Sequence, residues 1–186
     1  MRGHHTISYD LENNCDVLCL TTYHFGYKDI TRAKYMAPVQ YTCDLHTGVG
    51  VAVQYIHGLE NKDAISALDR ETVIDPSVVI VQGHGHVPAA GQPELVFFHG
   101  KAAAGRRSSA HVGEVVCDIL EVFPYVQAIH LNACSLGQDA AAYTKAAEQK
   151  MNEHLSCGVK RGPLIISAFK NDVPIPYVYI WIFCEY

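Results

Sequence analysis

Short apolar runs rich in β-branched residues recur along this chain, and turn residues or polar segments separate them. Runs of about four to eight such residues are typical of strands buried in a parallel sheet. The pattern predicts strands over 17–22, 39–43, 49–56, 78–83, 95–99, 126–132, 164–169 and 177–184.

Segments of helical character alternate with these strands. Asn61 is a suitable N-cap for a short helix before the strand at 78–83. Ser108 or Ser109 is expected to cap a second helix, which Pro124 ends. One face of that helix is apolar and consists of Val112, Val115, Val116, Ile119, Leu120 and Phe123. An Ala-rich stretch over 138–154 predicts a third helix, and the alternation as a whole indicates an α/β layer sandwich with a mostly parallel sheet.

Composition favours a folded globular chain. The 186 residues are 49% apolar and 18% charged, which is enough to bury a core as one domain over 1–186. A formal net charge of −5 argues against nucleic acid as the main partner. The start of the chain lacks the apolar segment of a signal peptide, and the run at 177–183 is too short to cross a bilayer. We therefore expect a cytoplasmic protein that does not engage a membrane, with residues 1–14 disordered or partly a remnant of expression.

The cysteines do not form the pattern of a disulfide framework. Their number is seven, which is odd, and their spacing is irregular. Cys19, Cys117 and Cys184 lie inside apolar stretches, where a reduced thiol of the core is the usual occupant. The cysteine content therefore fits a reducing compartment.

Two predicted strands end on residues that carry chemistry. The run at 78–83 leads into His84-Gly85, and the run at 126–132 leads into Ala133-Cys134. Because ligands and catalytic groups of open parallel sheets gather beyond the carboxyl ends of the strands, a histidine and a cysteine there form a candidate base and nucleophile. Cys134 follows His84 by 50 positions (134 − 84), about the separation and order found in caspases.

These two blocks resemble the caspase-like clan of cysteine peptidases, which includes caspases, metacaspases, legumains, separases, gingipains and the self-cleaving domains of bacterial toxins. The shared pattern is an apolar strand followed by His-Gly, then an apolar strand followed by a small residue and Cys. The resemblance implies a three-layer α/β/α sandwich and a cysteine endopeptidase that acts on protein or peptide substrates without a cofactor. Ser-Leu-Gly follows Cys134 in place of the caspase pentapeptide, so the resemblance is to the clan and not to the caspase family.

The resemblance and the residue chemistry together predict a Cys134–His84 dyad. Cys134 would be the nucleophile, since a strand end just before a helix lets backbone N–H groups favour a thiolate. His84 would be the general base and later the acid for the leaving amine. The N–H groups of Gly85 and Cys134 would form the oxyanion hole, as in related clan members. His86 is a second candidate base, and the His-Gly pattern of the clan selects His84.

The substrate pocket is implied by the resemblance alone. In relatives it is lined by the residue two before the cysteine, here Asn132. It is also lined by the segment after the first strand, here Tyr23 and His24, and by the segment after the strand that follows the catalytic helix, here Phe169 and Asp172. Asn132 is uncharged and neither segment contains an arginine, so the sequence predicts no primary specificity. It predicts no oligomeric state either.

Other functions remain open from the residues. His84, His86 and Cys134 are ligand types that suit zinc, and alternate residues of an extended segment point to one side. The chain could also be an inactive caspase-like binding module. The same dyad could perform acyl transfer or deamidation instead of peptide hydrolysis, because all three begin with attack on a carbonyl.

Overall fold

A computed structural model of the chain describes residues 5–12, 16–22, 53–89, 91–98, 107–159, 162–170 and 178–185. Its strands are β1 (His5–Glu12), β2 (Val17–Thr21), β3 (Val53–His57), β4 (Val78–Gln82), β5 (His84–His86), β6 (Glu94–Phe98), β7 (Arg107–His111), β8 (Ala128–Asn132), β9 (Ile165–Ala168) and β10 (Val178–Glu185). Its helices are α1 (Asp63–Ser66), α2 (Val112–Val122) and α3 (Ala140–Ser156), and a 3₁₀ turn, η1 (Leu136–Asp139), precedes α3.

A five-stranded parallel sheet forms the centre of the described structure, with strand order β3-β2-β4-β8-β9. β4 and β8 are neighbours, and each residue of β4 pairs with the residue 50 positions later, from Val78 with Ala128 to Gln82 with Asn132. The predicted mixed α/β organisation with a parallel sheet is therefore confirmed.

All three helices cover one face of this sheet. The chain moves in the same direction across the sheet after β3, β4 and β8, so right-handed crossovers bring the intervening helices to the same side. α2 packs between α1 and α3. The predicted apolar face of α2 is confirmed, since all six of its residues are buried. The N-cap of α1 is Lys62, one residue later than predicted. The Oδ1 of Asn61 nevertheless accepts a hydrogen bond from the N–H of Ala64 at 3.0 Å, in the first turn of the helix.

The opposite face of the sheet is also buried along β2, β4 and β8, and His130 lies on it with no exposed surface. Its Nδ1 lies 2.7 Å from the hydroxyl of Ser167 on the neighbouring strand, and among the described residues its Nε2 has no hydrogen-bond partner. The ring of Phe169 meets the imidazole edge-on, with 5.5 Å between centroids. Burial without a countercharge lowers the pKa of His130 to about 3.

A three-stranded antiparallel sheet, of order β5-β6-β7, projects from the end of β4. Only Gly83 separates β4 from β5, so the small sheet begins where the large one ends. One of its faces is apolar and joins the main core through Leu95, Phe97 and Ala110. The other face carries polar side chains and belongs to the site described below.

The predicted cap at Ser108 or Ser109 is wrong, since both residues lie in β7. α2 begins at Val112, whose N–H donates to the carbonyl of Pro93 at 3.0 Å. The segment alternates between exposed and less exposed positions, and its Ala110 is buried in the core. Pairing with β6 therefore satisfies more backbone groups than a serine cap would.

The two ends of the chain pair with each other. β1 runs parallel to β10 in a two-stranded sheet that is separate from the other two. The predicted strand at 177–184 is observed as β10. Within 1–14, predicted to be disordered or partly a remnant of expression, residues 5–12 form β1. The predicted strand at 39–43 lies outside the described residues. None of the helices in the described part of the chain has the length and apolar character to cross a membrane.

We expect His130 to make the fold sensitive to acid. The unfolded chain takes up a proton at His130 near pH 6.5, whereas the folded chain does so only near pH 3, so stability falls as pH drops through this range. Between pH 7 and 5 the loss from this residue is about 2 kcal/mol. Thermal unfolding followed by circular dichroism should show this slope in the wild type and a flatter one in His130→Gln. Equal pH slopes in the two proteins would contradict this account.

Candidate active site

The carboxyl ends of β2, β4 and β8 meet at one edge of the parallel sheet. The N–H of Thr22 donates to the carbonyl of Gln82 at 3.1 Å, and the N–H of Gly83 donates to the carbonyl of Asn132 at 3.4 Å. Backbone pairing thus continues one residue past the end of β4. His84 and Cys134 have the same 50-residue offset as the paired residues of β4 and β8, so both predicted catalytic residues follow paired strands at the same edge of the sheet.

Gly85 lies directly against the backbone of Cys134. A Cβ atom at Gly85 would overlap the carbonyl oxygen of Cys134 and would lie 2.7 Å from its carbonyl carbon and 3.1 Å from its nitrogen. Only glycine fits at this position without displacing the backbone. The residue after the histidine is therefore in contact with the cysteine.

Cys134 lies in the turn between β8 and η1, as the sequence predicted for a cysteine at a strand end before a helix. Its thiol is half-buried. The next residue, Ser135, is buried and has φ 59° and ψ 3°, a left-handed conformation that no other described non-glycine residue adopts. Such a conformation costs about 1–2 kcal/mol. Two residues on, the N–H of Gly137 donates to the carbonyl of Phe169 at 2.8 Å and ties the turn to the end of β9.

His84 is half-buried at the start of β5. Burial lowers the pKa of its imidazole, and the positive charge of Arg107 lowers that pKa further. His84 is therefore neutral at pH 7, which is the form that accepts a proton.

A polar cleft adjoins His84 on the outer face of the small antiparallel sheet. The cleft has a volume of about 570 Å³, within the usual range for ligand sites. It is lined by His84, Gly85, His86, Glu94, Val96, Arg107, Ser108 and Ser109. Glu94, Arg107 and Ser109 were not predicted as site residues. Their segments do not alternate between polar and apolar residues, since 94–98 is apolar apart from Glu94 and 107–111 is polar apart from Ala110. Only the pairing of β6 with β7 brings the three side chains to one face.

Of the five predicted pocket residues, the structure describes Asn132 and Phe169. Asn132 ends β8, half-buried, beside the carboxyl edge. Phe169 follows β9 at the same edge, where its carbonyl binds the turn after Cys134 and its ring packs on His130. Tyr23, His24 and Asp172 lie outside the described residues.

The residues described do not form a metal site of the kind considered above. Across the described ranges, no group of three or more His, Cys, Asp or Glu side chains is arranged to hold a metal ion. His84 and His86 belong to a strand that pairs with β6, whereas Cys134 belongs to the turn after β8.

We expect Gly85→Ala to disturb the contact between Gly85 and Cys134. The added methyl group must displace the backbone at Cys134, which should destabilise the fold by about 1–3 kcal/mol and change the alkylation rate of the thiol. Gly162→Ala is the matched control, because a Cβ at Gly162 meets no atom of the described residues within 4 Å. Denaturant unfolding and iodoacetamide labelling of the two variants would test this. Indistinguishable behaviour of both variants would contradict the contact.

Comparison with known proteins adds no family to this description: the chain matches no protein-family model, no curated protein and no solved structure.

Proposed function

We propose that the protein is a cysteine endopeptidase in which Cys134 is the nucleophile and His84 the general base. The contact between Gly85 and the backbone of Cys134 carries this proposal. It brings together the residue next to the histidine and the cysteine itself, which is what a shared oxyanion hole requires. The neutral state of His84 and the cleft beside it add further support.

The order of elements around these residues supports a caspase-like sandwich as the finer fold. In that fold a small hairpin follows the strand that ends in His-Gly. Here β5, β6 and β7 follow β4 directly and pair antiparallel. The helix that follows the cysteine corresponds to α3 in this proposal, and the substrates are proteins or peptides met in a reducing compartment.

The reaction proceeds through an acyl-enzyme. His84 takes the thiol proton while Sγ of Cys134 attacks the carbonyl carbon of the scissile bond. The oxyanion accepts hydrogen bonds from the N–H groups of Gly85 and Cys134. The intermediate collapses when His84 gives its proton to the leaving amine and the C–N bond breaks. His84 then takes a proton from water, hydroxide adds to the thioester, and the acid leaves as the thiol of Cys134 regains a proton.

Two residues near the dyad influence it without reacting. Arg107 disfavours a proton on His84, so it keeps the resting imidazole in the neutral form that accepts a proton. Ser135, held in the left-handed conformation, turns the chain sharply after Cys134 and directs the backbone into η1.

Substitution of the dyad is the primary test. Cys134→Ala should abolish cleavage of a peptide library and leave the thermal unfolding midpoint nearly unchanged, since the half-buried thiol is small. His84→Ala should reduce turnover by about 10²–10⁴-fold, and His86→Ala far less, because His86 is exposed and does not precede the glycine that touches Cys134.

Thiol labelling supplies an outcome that does not depend on finding a substrate. Cys134 should react with iodoacetamide faster than the exposed Cys157 of the same protein, and His84→Ala should remove the difference. Reaction of Cys134 no faster than Cys157, with no cleavage of the library, would point to a binding module with this fold. Equal losses of activity in His84→Ala and His86→Ala would point to a metal site instead.

The acid limb of the pH profile should lie below 6.5. His84 must be neutral to accept the proton, and its pKa is below the ordinary 6.5, so activity persists into mild acid and is lost as pH falls through the lowered pKa. Arg107→Gln removes one cause of the lowering and should move this limb to higher pH. The profile of kcat/KM against pH would be measured with a peptide bearing an uncharged fluorescent leaving group. Lys145→Gln, on the exposed side of α3, controls for lost charge, and equal shifts in both variants would contradict the role of Arg107.

A further inference from the structure

The strand register fixes where the charged side chains lie on the outer face of the small antiparallel sheet. His84 pairs with Val96, which pairs with Ser109, so these three residues form one row across the sheet. His86, Glu94 and His111 form the next row on the same face. Since alternate residues of a strand share a face, Arg107 lies on this face one row beyond Ser109. The cleft therefore has Arg107 at one end and Glu94 at the other.

At the negative end of this cleft, the carboxylate of Glu94 already has polar partners within the protein. One carboxylate oxygen of Glu94 accepts a hydrogen bond from the hydroxyl of Ser109 at 2.6 Å. The other lies 3.8 Å from Nδ1 of His111. The guanidinium of Arg107 is exposed at the opposite end, close enough to His84 to affect its protonation. The field at the His84 end of the cleft is therefore positive.

The proposed reaction indicates which half of the substrate lies in this cleft. The histidine that protonates the leaving amine must touch the half of the substrate that departs first. The face that extends from His84 along β5 to β7 is the surface which that half of the substrate meets. The cleft on this face has a volume of about 570 Å³, which is enough for a short peptide segment.

We propose that this cleft binds a carboxylate on the leaving-group side of the substrate, with Arg107 as its main contact. The proposal rests on the proposed peptidase function for the side of the substrate, and on the layout of charge for the ligand. Arginine suits this role because its planar guanidinium binds a carboxylate through two parallel hydrogen bonds. The carboxylate can belong to an acidic side chain within the first residues after the cut, or to the C-terminus of a short substrate.

Alkylation of Cys134 by a charged and a neutral reagent tests the positive field without any need for turnover. Iodoacetate and iodoacetamide have nearly the same size, and only iodoacetate carries a carboxylate. At each cysteine the rate with iodoacetate is divided by the rate with iodoacetamide. The value at Cys134 divided by the value at Cys157, here called the double ratio, should exceed one at low salt. Arg107→Gln should reduce this double ratio about threefold or more, Arg107→Glu should reduce it further, and Lys145→Gln should leave it unchanged. Arg107→Lys should keep most of it.

A peptide library identifies the source of the carboxylate. Mass spectrometry of both cleavage products should show enrichment of Asp and Glu after the cut if the ligand is a side chain. It should show cuts close to the C-terminus, absent from amidated copies of the same peptides, if the ligand is the terminal carboxylate. Arg107→Gln should remove the preference, and Arg107→Glu should replace it with a preference for Lys or Arg.

The outcomes separate this inference from the peptidase proposal. A double ratio that Arg107→Gln does not change would overturn the carboxylate site, whether or not peptides are cleaved. Cleavage without any acidic or C-terminal preference would also overturn it, while the peptidase function would stand. Absence of cleavage, with a double ratio that depends on Arg107, would support the anion site and overturn the peptidase proposal.

Discussion

The parallel pairing of β4 with β8 is the interaction on which the rest of this structure depends. It forms the middle of the five-stranded sheet, and its register carries His84 and Cys134 to one edge at the same offset as the paired strand residues. A slip of one residue would turn every side chain of a strand to the other face. Because both faces of this pair are buried, such a slip would be costly, and the relation of the two candidate catalytic residues is held by the core itself.

Close backbone approach is the second constraint, and glycine provides it. Gly85 leaves space for the backbone of Cys134, and Gly83 leaves space for Thr22 and Leu95, whose side-chain atoms would lie 2.7 Å and 2.9 Å from an added Cβ. These two glycines flank His84. The histidine thus stands at the junction of the large sheet and the small one, with little backbone freedom on either side.

Much of this arrangement was predictable from the sequence because it follows from periodicity. The runs at 78–83 and 126–132 have the length and apolar character of buried strands. The buried residues of α2 recur with the spacing of a helix. The helix cap predicted at Ser108 or Ser109 was wrong because serine is common both at N-caps and at polar positions of strands. Only pairing with β6 distinguishes the two cases. Arg107 and Glu94 were not predicted for a related reason: they share a site only because β6 pairs with β7 in the observed register, and neither segment shows that register in its own sequence. His130 reads as one more strand residue until its complete burial is known.

The division of the site between two sheets has a consequence for a newly made chain. Cys134 follows a strand of the parallel sheet, and His84 begins the antiparallel one, so the site exists only after both sheets have formed and docked. Contacts between residues so far apart in sequence close late, because the entropy of the intervening loop must be overcome first. Until then the backbone of Cys134 lacks its contact with Gly85, so in the proposed peptidase a partly folded molecule has no assembled active site.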